Sequence, residues 1–306
     1  MRRLLPLTLL AVLAATVALA AVPAAAPAYR VGFSEQQSAM FENPLFRDLH
    51  VRYARLILPY DAVLRRTDDV PKIDQWMERA RAAHVRPLVA FNASRGCYEN
   101  SRIPARASCR LASVSRYTRA IRAFRSRYPS VRDYQPWNEA NHQSQPTDKK
   151  PRRAAEYYNA LKANCRGCTI TAADVLDEGD VDKWLRTFRR YVRGNPRLWG
   201  AHNYSDTNRF RNRGTRKILR AVPGQVWLTE TGGVVKFGSS FPYDEERAAR
   251  ALRYMFRLAD SSSRITRLYI YQWSGAEPGA RFDAGIIGPD GQPRPGYQVV
   301  KDKLTG

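Results

Sequence analysis

Gln135-Pro136-Trp137-Asn138-Glu139-Ala140-Asn141 and Val226-Trp227-Leu228-Thr229-Glu230-Thr231-Gly232 decide how this chain is to be read. Each is a short apolar run of β-prone residues that ends in a carboxylate. Each is followed by small or polar residues that stop a strand. Two glutamates are thereby offered at the C-terminal ends of two separate strands. Whether those ends meet depends on the architecture around them.

From Tyr29 onward, eight β-type runs alternate with helix-type runs. The β-type runs cover 29–33, 54–59, 86–92, 133–138, 169–173, 198–204, 226–231 and 267–273. Between them apolar residues recur at helical spacing. Ile73, Trp76, Met77 and Ala80 share one face, as do Tyr117, Ile121, Phe124 and Tyr128. The pattern returns in Ala154, Tyr158 and Leu161, in Val181, Trp184, Leu185 and Phe188, and in Ala248, Ala251, Leu252, Met255 and Phe256. A short helix is predicted over 44–49, and the connection before Val226 is also short. Strands alternating with helices imply parallel pairing and right-handed crossovers. Eight such units in about 250 residues fit a single α/β domain, a closed (β/α)8 TIM barrel. An open doubly wound sheet is the alternative. It calls for a glycine-rich first turn, and Gly32-Phe33-Ser34 is not one. The longest stretch without periodicity, 94–113, holds Cys97 and Cys109, and a disulfide there would fix it over the upper rim.

The N-terminus has a basic start at Arg2 and Arg3, an apolar run over 4–21 and small residues at Ala26-Pro27-Ala28. It reads as a secretory signal peptide over 1–28, ahead of a catalytic domain over 29–306. An uncleaved anchor is the alternative, because the run is long enough to span a bilayer. The four cysteines, Cys97, Cys109, Cys165 and Cys168, fit an exported, disulfide-bonded protein of the secreted or cell-envelope compartment. Sequence neighbours suggest Cys97–Cys109 and Cys165–Cys168, with three connectivities possible. Cys165-Arg166-Gly167-Cys168 closes a helix and precedes a strand, the reverse of a thioredoxin-like motif, and a zinc site would need two further ligands. A loop staple is the better reading. The formal net charge is +23, from 51 Lys+Arg against 28 Asp+Glu. A polyanion partner would explain it, as would a solvated arginine-rich surface. Arg116, Arg119, Arg122, Arg125 and Arg127 are spread along one helix, and no nucleic-acid motif accompanies them. The expectation is weak attraction to anionic cell-surface polymers, no specific nucleic acid, no membrane span after signal cleavage, and a monomer.

In a barrel, functional side chains stand at the C-terminal strand ends. There the sequence offers Glu35, Arg55, Tyr60-Asp61, Asn92, Asn138-Glu139, His202-Asn203-Tyr204, Glu230 and Gln272-Trp273. Polar, acidic and aromatic groups converging on one face suit a sugar, whose hydroxyls need partners and whose C–H faces need flat apolar surfaces. Two carboxylates are what glycosidic cleavage needs: one protonates the leaving oxygen, the other attacks or stabilises the anomeric carbon. No metal or organic cofactor is called for.

With Asn138-Glu139 ending the fourth strand, Glu230 the seventh, His202-x-Tyr204 after the sixth and Trp273 after the eighth, the chain resembles the retaining glycoside hydrolases of clan A. Its flavour is that of families 5 and 39. The tail, Asp283-Ala284-Gly285-Ile286-Ile287 through Asp290-Gly291 to Pro293-Arg294-Pro295, is similar to their closing segment. The resemblance implies Glu139 as general acid/base and Glu230 as nucleophile. It implies Asn138 on the sugar 2-hydroxyl, Tyr204 and Arg55 supporting Glu230, Trp273 flooring the cleavage subsite, and His202 lining the cleft. Ala140-Asn141 replaces the usual proline-rich step, and Asn92 stands where a histidine is frequent. Other roles stay open. Arg55 could pair with Asp61 or Glu35 as a barrel brace, His202 and Tyr204 could be packing residues, and Glu35, His142 and Glu277 could be subsite residues or solvated. The predicted activity is secreted cleavage of β-linked poly- or oligosaccharide by double displacement. The alternative is a non-hydrolytic barrel that binds cell-surface glycan or polyanion, which has no need of both glutamates.

Overall fold

The computed structural model of the protein describes residues 29–97 and 109–305. The expected signal peptide and most of the 94–113 loop lie outside the described residues. The chain begins with β1 (Arg30–Ser34), a 3-10 turn (Ser38–Glu42), α1 (Pro44–Asp48), β2 (Tyr53–Pro59), α2 (Ala62–Arg65), α3 (Val70–Ala82) and β3 (Arg86–Asn92). It continues through α4 (Val114–Arg127), β4 (Asp133–Gln135), α5 (Pro151–Ala163), β5 (Thr169–Ile170), β6 (Asp174–Leu176), α6 (Val181–Tyr191) and β7 (Leu198–His202). The last part holds α7 (Tyr204–Asn208), α8 (Arg213–Ala221), β8 (Gln225–Thr231), β9 (Lys236–Phe237), α9 (Glu245–Asp260), β10 (Ile265–Ile270), β11 (Phe282–Asp283) and α10 (Pro295–Thr305).

Nine strands form one parallel sheet in the order β5-β4-β3-β2-β1-β10-β8-β7-β6. Its two ends, β5 and β6, are halves of one interrupted strand. Thr171 N–H still donates to Tyr134 O on β4 at 3.1 Å, while Ala172 N–H donates to Leu198 O on β7 at 2.8 Å. Gly200 N–H donates to Ala173 O at 2.7 Å. Within three residues the chain passes from one neighbour to the other, and the sheet closes as the expected eight-unit barrel.

All eight expected runs contain a strand, and the predicted helical faces are buried except at Met77 and Trp184, which are half-buried against the core. Tyr117, Ala120, Ile121 and Phe124 of α4 face the barrel, and Ser113 caps the helix by accepting from Arg116 N–H. Four runs differ from their strands by two residues or more, and the eighth covers Ile265–Ile270, ending before Tyr271. The fourth strand stops at Gln135, because Pro136 has no N–H for a ladder. The sixth stops at His202, so Tyr204 opens a helix. The fifth runs on past its interruption to Leu176. Helix α10 and the antiparallel pair β9–β11 were not anticipated.

The barrel interior is polar. In its lower tier Tyr53, Leu88, Trp227 and Tyr269 surround Arg267. The Arg267 guanidinium carbon lies 3.8 Å from the Trp227 ring centroid and 4.2 Å from that of Tyr53, and Nη1 donates to Asp133 Oδ2 at 2.9 Å. Higher up the interior holds Ser34, Arg55, Gln135, Asp174, His202 and Thr229, all fully buried. Gly200 makes room for them: a Cβ there would lie 2.6 Å from Asp174 Oδ1 and 2.8 Å from Gln135 Nε2. Among the described residues no helix is long and apolar enough to cross a membrane.

Cys97 is bonded to Cys109 and Cys165 to Cys168, which leaves no free thiol. Titration of the native protein with a thiol reagent is therefore expected to detect none. Removing the Cys97–Cys109 bridge, which closes the longer loop, should lower unfolding stability by about 2–5 kcal/mol. Urea denaturation of the Cys97→Ser/Cys109→Ser variant would show it, and two reactive thiols in the native protein would contradict the pairing.

Candidate active site

The site begins with an arginine on the second barrel strand. Arg55 points into the barrel and is fully buried. Its Nε donates to Gln135 Oε1 at 2.5 Å. Nη1 donates to Ser34 Oγ at 3.0 Å and Glu230 Oε2 at 2.6 Å. Nη2 donates to Asn138 Oδ1 at 2.5 Å and Asp174 Oδ2 at 3.0 Å. A guanidinium has five N–H donors, and here five acceptors from four strands and their ends take them. Neither Asp61 nor Glu35 is a partner. Asp61 is held by Ser94 and Arg116. Glu35 is buried and accepts backbone N–H groups from Gln37 and Ser274, tying the first strand end to the eighth.

Glu139 and Glu230 reach the same space from opposite walls. Together with His202, each offers a ligand atom within 4.8 Å of the others. Glu139 follows the fourth strand in a left-handed backbone conformation, φ 47°, which costs a non-glycine residue about 1–3 kcal/mol. Its neighbours hold it there: Asn138 N–H donates to Phe91 O and Ala140 N–H to Asp174 O, both at 2.8 Å. Behind this turn Trp137 stacks on Tyr157 with centroids 5.1 Å apart and donates its indole N–H to Gln145 Oε1 at 3.0 Å. The tryptophan in the motif is thus an anchor in the core, and the two residues after it face the cleft.

His202 lies between the carboxylates. Its Nδ1 is 3.2 Å from Glu139 Oε1 and 3.9 Å from Glu230 Oε2, and its Nε2 is 3.0 Å from Asp174 Oδ2. Burial opposes a charged imidazole, but Asp174, Glu230 and Glu139 overcome it and push the ring up to about 10. Burial also opposes the charge of Asp174, yet His202 and Arg55 hold it well below the usual carboxylate range. Both cations share Asp174 Oδ2, so the 3.3 Å contact between Arg55 Nη2 and His202 Nε2 joins two donors. Burial raises the Glu230 carboxyl against the pull of His202 and Arg55, with Glu139 and Asp174 pushing the same way as burial. Burial acts upward on Glu139 too, but the His202 hydrogen bond and charge bring it below its ordinary value. Of the two carboxyls, Glu139 thus holds a negative charge more readily than Glu230. The spacing of Glu139, His202 and Glu230 would suit a cation in distance terms. Arg55 and the imidazolium already supply positive charge there.

The other expected residues divide. Tyr204 donates from its hydroxyl to Glu230 Oε1 at 3.1 Å. Asn92 lies at the third strand end and accepts its neighbour Ala93's N–H at 2.9 Å. Trp273 is in the core, 2% exposed, with its ring edge-on to Phe33 and Phe46 at 5.3 and 5.6 Å. The aromatic that instead stands beside Tyr204 is Tyr271, at a centroid distance of 6.3 Å. Inward alternation through Arg267 and Tyr269 was the available signal for it. Asp174 was also missed. It is a buried carboxylate that opens β6, just beyond the interruption at 171–173.

No protein-family profile and no curated protein sequence matches the chain. Solved structures do. A family 39 glycoside hydrolase from the gut symbiont Bacteroides cellulosilyticus WH2 superposes with a TM-score of 0.60 at 16% identity, over 92% of this chain and 64% of that one. A GH5_18 protein from Streptomyces cattleya, solved with GlcNAc, gives 0.64 at 15% identity over 92% and 80%. Xylanase 10B from Thermotoga maritima gives 0.61 at 12% identity over 90% and 94%. The chain spans 64% of the family 39 enzyme and 50% of a β-glucuronidase from an uncultured Clostridium sp.. What this chain shares with them is the fold, the (β/α)8 barrel on which these glycoside hydrolases are built.

Proposed function

We propose that the protein is a retaining O-glycosyl hydrolase acting on a β-linked poly- or oligosaccharide, secreted or held in the cell envelope, with Glu230 as nucleophile and Glu139 as general acid/base. One observation carries the reading: two carboxylates whose oxygens lie within 4.8 Å, at the ends of the fourth and seventh barrel strands. Retaining enzymes hold the pair about 5–5.5 Å apart, and inverting ones about 6.5–9.5 Å, to admit a water. The glycoside hydrolase descriptions of the similar structures support the same reaction class.

The roles follow from the partners. Glu230 receives Arg55 Nη1 and the Tyr204 hydroxyl, which orient it and favour its anionic form for attack on the anomeric carbon. Glu139 must carry a proton for the leaving oxygen. His202 Nδ1, 3.2 Å away, orients the Glu139 carboxyl that delivers it. In the second step Glu139, now ionised, takes a proton from the attacking water. Asn138 commits its oxygen to Arg55, so its NH2 is the end that can meet a sugar hydroxyl.

Two kinetic outcomes test the assignment. Proton NMR during hydrolysis by the wild type should show the β anomer first, before mutarotation. An initial α product would mean inversion. Glu139→Ala should slow substrates with poor leaving groups by about 10²–10⁴-fold while sparing the first step on activated aryl glycosides, which depart without a proton. Equal losses on both would remove Glu139 from the acid role.

The third outcome is thermodynamic. His202 titrates near 6.5 when unfolded and at about 10 when folded. Its contribution to stability is full below the unfolded value and is lost as pH rises towards 10. Urea midpoints should fall between neutrality and about pH 10 in the wild type, and this fall should flatten in His202→Asn. An unchanged slope would mean that the imidazole is neutral in the native site.

A further inference from the structure

The strand pair β9–β11 stands apart from the barrel. Phe237 and Phe282 are directly opposed in its register, and their rings meet at 5.6 Å. Phe282 lies 6.1 Å from Tyr271, Tyr271 lies 6.3 Å from Tyr204, and the Tyr204 hydroxyl donates to Glu230. Aromatic rings therefore continue without a break from the proposed nucleophile to the surface. The outermost ring, Phe237, is 39% exposed, and the inner three are partly exposed. The Tyr271 hydroxyl has no protein partner among the described residues, and Arg281, exposed and without an acidic partner there, lies 5.4 Å from the Phe237 centroid.

The ribbon that carries these rings is firmly held. Arg247 Nη2 donates to Val234 O, Val235 O and Pro242 O at 3.0–3.1 Å, and its guanidinium lies 4.6 Å from the Phe241 centroid. Arg294 donates to Asp283 Oδ2 at 2.8 Å and to Gly285 O at 2.9 Å. Two arginines thus hold in place a ribbon whose most exposed ring has no protein role in the core. A flat exposed ring beside an unpaired donor is the chemistry that binds the C–H face and hydroxyls of a sugar.

We infer that Phe282, Phe237 and Arg281 form a distal subsite for a glycan chain, so that the substrate is an oligosaccharide several sugars long. This rests on the glycosidase reading and extends it. The occupant follows from continuity: a chain with one sugar beside Glu230 can run along the same rings to reach the ribbon.

The test uses the full protein carrying Glu230→Gln, which holds substrate without turning it over. Its affinities for cello-, xylo-, manno- and laminarihexaose are compared by calorimetry with those for the matching disaccharides. For the sugar that binds, the hexaose should bind about tenfold more tightly than the disaccharide. Phe237→Ala in the same background should bring that ratio close to one. Phe237→Leu, which keeps the bulk without a flat ring, should do the same, and Phe237→Tyr should restore the ratio. If the ratio survives Phe237→Ala and Phe237→Leu, the distal subsite is wrong, while release of reducing ends by the wild type still upholds the glycosidase reading. If no hexaose is bound by the variant or cleaved by the wild type, both fall together.

Discussion

A buried guanidinium is costly unless its donors find acceptors, and Arg55 meets that condition for the whole upper barrel. Its five N–H groups draw Ser34, Gln135, Asn138, Asp174 and Glu230 to one point. Those residues come from the first, fourth, fifth and seventh strand positions, so the cation fixes their mutual register. The reverse also holds. An arginine left with an unmet carboxylate in this interior would be an uncompensated charge, worth about 3–5 kcal/mol against folding. The geometry of the proposed site and the integrity of the barrel are therefore one requirement, expressed through one side chain.

The lower tier repeats the solution in another form. Arg267 is paired with Asp133 and lies against the faces of Trp227 and Tyr53. Aromatic faces attract a desolvated cation, so this arginine needs fewer carboxylates than Arg55. The upper arginine orients the proposed nucleophile, Glu230, and polar partners do this where ring faces could not. The contrast explains why the floor of the barrel is aromatic and its mouth is acidic.

The fold was legible because strand and helix periods alternate cleanly, and every expected β run held a strand. The glutamates were legible because an apolar run ending in a carboxylate is a local signal. Arg55 stood on the second strand and His202 and Tyr204 around the end of the sixth, but their alternative structural readings could be separated only by knowing which side chains face one another. Trp273 and Tyr271 show the limit. Both share the inward phase of Arg267 and Tyr269, but the strand ends at Ile270, and beyond it the chain turns so that Tyr271 stands beside Tyr204 while Trp273 packs against Phe33 and Phe46. Asp174 was hidden by the interruption at 171–173, where strand periodicity breaks. The ribbon β9–β11 has two residues per strand, too few to carry any period.

The interrupted fifth strand also makes the barrel a cylinder with a seam. One half is stitched to β4 and the other to β7, and Asp174 is the first residue on the far side. Its backbone oxygen holds Ala140, next to the proposed acid, while its side chain holds Arg55 and His202. A cylinder under strain gives way first where its stitching changes hands. Here that place is fastened by the same residue that balances the charges of the site, so loosening the seam would disarm the carboxylates before the wall itself opened.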